Sequence, residues 1–140
     1  MPPSKEMIGR VLSTGTATVD AEHVAGFAAA LGDANPEYKQ VAPPTYPIAF
    51  MTQAMSGGMN TFLELGLNFM TLVHGEQEFE FVRPVKIGET LELTGRISDI
   101  YEKTNSAGAT LDFVVMETEG KDTAGKPVFY SRNVLISKRM

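Results

Sequence analysis

The sequence predicts an α+β fold in which a curved antiparallel sheet wraps around one long central helix. Two apolar stretches with helical spacing occupy the first half of the chain, and period-two alternation begins near residue 73. Helices that are followed by a run of strands are typical of the α+β class. A length of 140 residues predicts a single domain over residues 1–140.

The first elements predicted are an extended entry strand and an amphipathic helix. Residues 8–19 are rich in β-branched side chains and contain glycine, which favours an irregular strand. Asp20 predicts the N-cap of the helix, and Gly32 predicts its end. Between these caps the apolar side chains recur at helical spacing: Val24, Phe27, Ala28 and Leu31.

A proline-rich loop and a buried helix come next. Residues 33–47 hold four prolines and show no periodicity, which indicates an ordered loop or a flap. Pro47 can start the second helix, and residues 48–65 are apolar on almost every face. A helix that is apolar on most faces is a buried one, and Gly66 is the natural end of it.

The second half of the chain predicts antiparallel strands. Alternation over 73–81 is followed by strands near 91–97, 109–118 and 128–137, with a turn over 120–127. One buried helix is too little to cover both faces of about five strands, so the sheet is expected to curve around it in the hot-dog arrangement. A single sheet of this kind leaves an exposed edge strand, and we therefore expect a dimer.

The composition excludes several classes of chemistry. The chain has no cysteine and only two histidines, His23 and His74, so a thiol nucleophile, a disulfide framework and a three-histidine zinc site within one chain are excluded. Twelve basic against seventeen acidic residues give a net charge of −5, which disfavours nucleic acid as a partner. No stretch approaches the ~20 apolar residues of a membrane span, and no signal peptide is recognisable, so we expect a cytoplasmic protein without a membrane partner.

The turn after the first helix is the first candidate for chemistry. Residues 32–38 read Gly-Asp-Ala-Asn-Pro-Glu-Tyr and hold Asp33 on a rigid segment, where its carboxylate could be catalytic. The same residue types also favour an Asx turn after a helix C-cap, which explains them without any chemistry. Both interpretations stay open from the residues alone.

The second candidate is the segment that leads into the apolar helix. Pro44, Thr45 and Tyr46 could line a substrate-binding loop, with free backbone N–H groups at the helix start facing a carbonyl oxygen. Alternatively, Thr45 or Tyr46 only caps the helix, and the prolines stiffen its entry. Met51 and Met55 suit a pocket for apolar chains of variable shape, and they suit an ordinary helix core equally well.

His74 and three glutamates alternate with apolar residues along the first strand of the second half. Strict alternation places His74 on the same face as Glu76, Glu78 and Glu80, and we expect that face to be solvent-exposed or to form a subunit contact. A lone histidine in a strand is more often structural than catalytic. His23, in the first turn of the first helix, is expected to be solvated.

The chain resembles the MaoC-like dehydratase family, and more closely its N-terminal-type members, the FAS1-like dehydratase domains. The resemblance extends over almost the whole chain and rests on IGR near the start, FAAALGDANPEY, APPTYP and the long stretch VHGEQEFEFVRPVKIGETL. The family has the hot-dog fold and acts on acyl groups carried by coenzyme A or acyl carrier protein. Its members hydrate a trans-2-enoyl thioester or dehydrate the (R)-3-hydroxyacyl form.

The resemblance also indicates which residues would line a site. Catalytic members carry the motif Gly-Asp-x-Asn-Pro-x-His, whose Asp and His handle the water and the α-proton. Gly32, Asp33, Asn35 and Pro36 match this motif, but Tyr38 stands where the histidine is expected. A phenol with an ordinary pKa of about 10 is a poor general base at neutral pH.

Because of this departure, the resemblance implies the half of a heterodimeric or two-domain hydratase that shapes the acyl pocket, while its partner supplies Asp and His. The alternatives are a homodimer that uses Asp33 with Tyr38 or His74, a non-catalytic acyl-thioester binding module, and a thioesterase that uses Asp33 or Glu64 as base. No cofactor is implied, since coenzyme A or acyl carrier protein enters only as the carrier of the substrate.

Overall fold

The computed structural model describes residues 2–50 and 63–139, and its main element is a five-stranded antiparallel sheet. The order across the sheet is β1-β3-β4-β5-β2, which places β1 and β2 at its two edges. The predicted strands are confirmed, and the last three along the chain extend beyond the predicted bounds. The strands are β1 (Val11–Thr18), β2 (Val73–Phe81), β3 (Thr90–Thr104), β4 (Thr110–Lys121) and β5 (Pro127–Lys138).

The first helix, α1 (Ala21–Leu31), begins and ends where the sequence predicts. The Asp20 carboxylate accepts a hydrogen bond of 3.2 Å from the backbone N–H of His23 and so caps the first turn. Gly32 adopts the left-handed conformation with φ of 69°, which a residue with a Cβ adopts only at a cost.

The predicted helix over 48–65 lies mostly outside the described residues. Residues 48–50 and 63–64 are helical, and Gly66 follows with a φ of 71°. Met51 and Met55, which the sequence nominates for an acyl pocket, belong to the part that is not described. In the described part of the chain, no helix is long and apolar enough to span a membrane.

The sheet has an inner face that carries the core and an outer face that is largely polar. On β5 the inner face is made by Phe129, Ser131, Asn133 and Leu135, all of them buried. One end of this face packs with α1 and residues 46–50 through Val24, Tyr46, Phe50, Leu93 and Phe129. The other end packs with residues 65–67 through Leu65, Leu67, Ile97, Val114 and Leu135.

A β-bulge changes the direction of His74. The pairing of β2 with β5 shifts between His74, which lies opposite Leu135, and Glu76, which lies opposite Val134. Residues directly opposite in an antiparallel pair point to the same face. His74 therefore lies on the inner face and Glu76 on the outer face, so the prediction that they share a face is wrong. The extra residue of a bulge is not visible as a change in alternation.

A close contact across β4 and β5 predicts the cost of one substitution. A Cβ added at Gly120 would lie 2.2 Å from the ring of Phe129, which packs against this glycine. We expect Gly120→Ala to lower the free energy of unfolding by about 1–3 kcal/mol, since overpacking displaces a buried ring. Urea denaturation measures the change. Gly15→Ala in β1 is the matched control, because a Cβ there meets nothing within 4 Å. Equal stability of the two variants would contradict the predicted contact.

Candidate functional site

The candidate site is the turn that follows α1 directly. The backbone N–H of Gly32 donates to Ala29 at 3.0 Å, and that of Asp33 donates to Ala28 at 3.1 Å. These two bonds satisfy carbonyls that the helix end would otherwise leave free. Asp33 is therefore tied to the last turn of α1, although its side chain is exposed.

Both oxygens of the Asp33 carboxylate accept hydrogen bonds. Oδ1 accepts from the backbone N–H of Asn35 at 3.1 Å, and Oδ2 accepts from the Tyr38 hydroxyl at 2.8 Å. The Asn35 side chain accepts from the backbone N–H of Glu37 at 3.0 Å and caps a 3-10 helix over Pro36–Lys39. The turn chemistry and the candidate site thus use the same residues, so the two interpretations of this segment coexist.

Tyr38 keeps its proton because of its contact with Asp33. The hydrogen bond to Asp33 raises the pKa of the Tyr38 phenol above its ordinary value, and partial desolvation and the charges of Asp33 and Glu37 raise it further. At neutral pH the phenol is a hydrogen-bond donor and not a base. The turn therefore presents a carboxylate that is held by a neutral donor, where the resemblance implies a carboxylate beside an imidazole.

The loop between β2 and β3 supports this turn from behind. The backbone N–H of Ala42 donates to Val85 at 2.8 Å, and that of Ile87 donates to Gln40 at 3.0 Å. The loop itself is held by Arg83, whose guanidinium makes two bonds to the Glu89 carboxylate at 3.0 and 2.8 Å. Sequence reasoning missed this pair, whose members are visible only as a charge before a proline and a charge after a glycine.

The segment over 44–46 has two exposed residues and one buried residue. Pro44 and Thr45 are exposed, whereas Tyr46 is only 3% exposed and meets the rings of Phe27 and Phe50 edge-on. A hydrogen bond of 2.8 Å joins the Tyr46 hydroxyl to Nδ1 of His23. The His23 ring therefore has a protein partner and is not simply solvated. Burial, followed by the charge of Asp20, raises the pKa of Tyr46.

The start of the helix does not offer the free donors that one of the two interpretations of this segment requires. The backbone N–H groups of Ile48, Ala49 and Phe50 donate to Thr45, Tyr46 and Pro47 at 3.2, 2.9 and 3.1 Å. A tight i to i−3 turn uses the groups that an oxyanion would need. The interpretation in which these N–H groups are free is therefore wrong for residues 48–50, whereas the alternative of a simple helix entry fits them.

His74 lies far from the candidate turn within one chain. It is near the start of β2, whereas residues 85–87, which contact the segment after the turn, follow the end of β2. Their partners on β5, Leu135 and Phe129, are six residues apart. The rise of a strand is about 3.3 Å per residue, so His74 and Phe81 are roughly 20 Å apart. Tyr38, and not His74, is the residue that contacts Asp33.

Two further groups of polar residues lie outside the turn: Glu64, and Gln77 with its neighbours on the inner face. Glu64, a candidate thioesterase base, makes an exposed ion pair of 3.2 Å with Arg10. On the inner face, the Gln77 amide donates to Ser131 at 2.8 Å, while Oε1 of Gln77 and Oδ1 of Asn133 are buried without a partner. Gln77 alternates with Phe79 and Phe81, and this polar residue in an apolar row was the signal available in the sequence.

Comparison with known proteins identifies related chains. The family model of the FAS1-like dehydratase domain region matches residues 6–131. A UPF0336 protein of Streptomyces coelicolor is 29% identical over 151 aligned residues, which cover 99% of this chain and 97% of that protein.

Solved structures with similar folds include a dehydratase and a hydratase. The HadBC complex of Mycobacterium tuberculosis, a 3R-hydroxyacyl-ACP dehydratase, has a TM-score of 0.77 at 21% identity, and 94% of this chain and 97% of that chain are covered. The R-hydratase PhaJ1 of Pseudomonas aeruginosa has a TM-score of 0.67 at 21% identity, with 95% and 83% covered. These similarities confirm the predicted hot-dog fold.

The contact between Tyr38 and Asp33 predicts a change in phenol ionisation. Asp33→Asn is expected to lower the pKa of Tyr38, because the carboxylate and its charge favour the protonated phenol. Ultraviolet titration of phenolate, taken as the difference from Tyr38→Phe in each background, isolates this group. Asp20→Asn is the matched control, since its charge acts on Tyr46. An unchanged Tyr38 midpoint in Asp33→Asn would contradict the contact.

Proposed function

Because this chain belongs to the FAS1-like dehydratase family, we propose that it is a subunit of an (R)-specific enoyl-thioester hydratase or 3-hydroxyacyl-thioester dehydratase. It shapes the acyl pocket, and a second hot-dog subunit supplies the catalytic Asp and His. The substrate is an acyl group on coenzyme A or acyl carrier protein. The observation that carries the proposal is the hydrogen bond of 2.8 Å from the Tyr38 hydroxyl to the Asp33 carboxylate.

The chemistry of hydration explains why that bond matters. Water adds its oxygen to C3 of the enoyl thioester, a base takes one of its two protons while the other stays on the new hydroxyl, and C2 gains a proton from an acid. A base for this step works best when its pKa lies near the operating pH. A phenol whose pKa is raised by Asp33 stays protonated, so it cannot take the proton from water. The pair in this chain can orient a polar group of the substrate, but it lacks the imidazole that the family motif places beside the carboxylate.

The fold supports a place for the acyl chain beside the inner face. The aromatic side chains Phe79 and Phe81 of β2 lie on this face at the sheet edge, opposite Ser131 and Phe129. In the proposed complex the acyl chain lies between the helix that the sequence predicts over 48–65 of one subunit and the sheet of the other. The pantetheine arm enters near Pro44 and Thr45, which are exposed.

A homodimer that works alone is the second candidate, and it retains Asp33 as its acid–base group. Tyr38 would then act only as the donor that holds this carboxylate. A thioesterase that uses Glu64 has less support, because that carboxylate is exposed and already paired with Arg10. A binding module would use the same pocket but would not convert the bound thioester.

Activity measurements separate these functions. We expect the purified chain alone not to hydrate crotonyl-CoA, and a mixture with a hot-dog subunit that carries an intact Asp-x-Asn-Pro-x-His motif to exceed the rate of that subunit by itself. Hydration by the chain alone that Asp33→Asn abolishes would instead establish the homodimer. Thioester binding without turnover in either preparation would establish the binding module. Because the chain has no cysteine, a thiol reagent detects thioesterase activity as free coenzyme A without background from the protein.

Restoring the imidazole is a direct test of the missing base. Tyr38→His is expected to give the chain alone a hydration rate on the order of a hundredfold above its background, which is the usual contribution of a general base. The rate should rise with pH through about 6.5, because the neutral imidazole is the active form. Tyr38→Phe is the matched control, since it removes the hydroxyl without adding a base. Equal rates in both variants would count against the role assigned to position 38.

A further inference from the structure

The edge strand β2 carries a surface prepared for another sheet. Among the described residues β2 pairs with β5 along one side, and its other side is the edge of the sheet. From Glu76 to Phe81 its register is regular. Val73 at the start of β2 and Val82, which directly follows its end, are 55% and 64% exposed. An exposed, regular edge of this length is a template for a further strand.

The outer face of this edge is strongly acidic. Glu76, Glu78 and Glu80 alternate along β2 and lie opposite Val134, Arg132 and Tyr130 of β5. The Arg132 guanidinium lies 3.2 Å from the Glu76 carboxylate and 3.4 Å from that of Glu78. One arginine therefore serves two carboxylates, and the aromatic neighbour of Glu80 supplies no charge. The row keeps an excess of negative charge at the free edge.

This charge decides which subunit fits the edge. Two copies of the chain that pair through β2 about a two-fold axis must run antiparallel, with their outer faces on the same side of the joined sheet. The glutamate rows of Glu76, Glu78 and Glu80 then lie side by side at the junction. Like charges opposite each other on neighbouring strands are destabilising, and opposite charges are stabilising. A second copy brings only the same acidic row.

We propose that the free edge of β2 binds a hot-dog subunit whose own edge strand carries lysine or arginine at the outward positions, in preference to a second copy of this chain. This inference rests on the two-subunit assembly of the proposed function and adds the chemistry that selects the partner. The backbone of β2 provides the attachment, and the three glutamates provide the selectivity. The same row disfavours the homodimer at low ionic strength.

A charge-reversed copy of the chain serves as the basic partner in the test. Wild type is mixed with the differently tagged variant Glu76→Lys/Glu78→Lys/Glu80→Lys, and native mass spectrometry counts the species. Mixed dimers are expected in excess of the share that random pairing gives, and the excess should shrink with added salt because exposed charges are screened. Random pairing, preferential self-pairing or monomers throughout would each overturn the proposal.

In the lysine variant, Arg132 lies beside like charges, and the variant could fail to fold for that reason. A neutral variant therefore provides a second, independent test. Glu76→Gln/Glu78→Gln/Glu80→Gln is expected to self-associate on the order of tenfold more tightly than wild type at low salt, measured by sedimentation. Glu92→Gln/Glu117→Gln/Glu119→Gln removes the same charge from the outer face of β3 and β4 and is expected to match wild type. Unchanged association of the β2 variant, or an equal gain in the control, would overturn the proposal. None of these readouts uses activity, so a failed hydratase assay and a failed charge rule remain distinguishable.

Discussion

The apolar inner face of the sheet is the constraint on which the rest of the structure depends. Five strands present one continuous row of buried side chains, and such a face must be covered by other elements. At one end α1 and residues 46–50 cover it, and at the other end Leu65 and Leu67 do. The candidate turn is exposed and directly follows α1, the helix that covers the first end. Its position is therefore set by core packing.

The chemistry of the turn follows from local bonds on this fixed base. The loop held by Arg83 and Glu89 keeps residues 40–42 against the end of β2, and the bonds of Asp33 to Asn35 and Tyr38 set the direction of the carboxylate. The carboxylate is thus held by two hydrogen bonds, and its side-chain donor is a phenol and not an imidazole.

The sequence was a good guide where the signals are local. Alternation of apolar and polar residues predicts the strands. The N-cap side chain of Asp20 and the left-handed conformation that Gly32 tolerates predict the two ends of α1. The direction of His74 was not predictable, because a bulge reverses a face without changing composition. The burial of Tyr46 was not predictable either, because its partners His23 and Phe27 lie on another element, α1. The motif marks Tyr38 as a departure, but the bond of Tyr38 to Asp33 depends on the 3-10 turn over Pro36–Lys39.

Asp33 follows α1 almost directly, so the number of residues in the helix sets the direction in which the carboxylate points. Each helical residue advances the chain by about 100° and 1.5 Å. Because the apolar stripe of Val24 and Ala28 is held against the core, one residue inserted between Ala28 and Gly32 would turn Asp33 through that angle. Four inserted residues would return it to within about 40° but carry it roughly 6 Å outward. The spacing between the buried stripe and the turn is therefore as much a part of the site as the residues that line it.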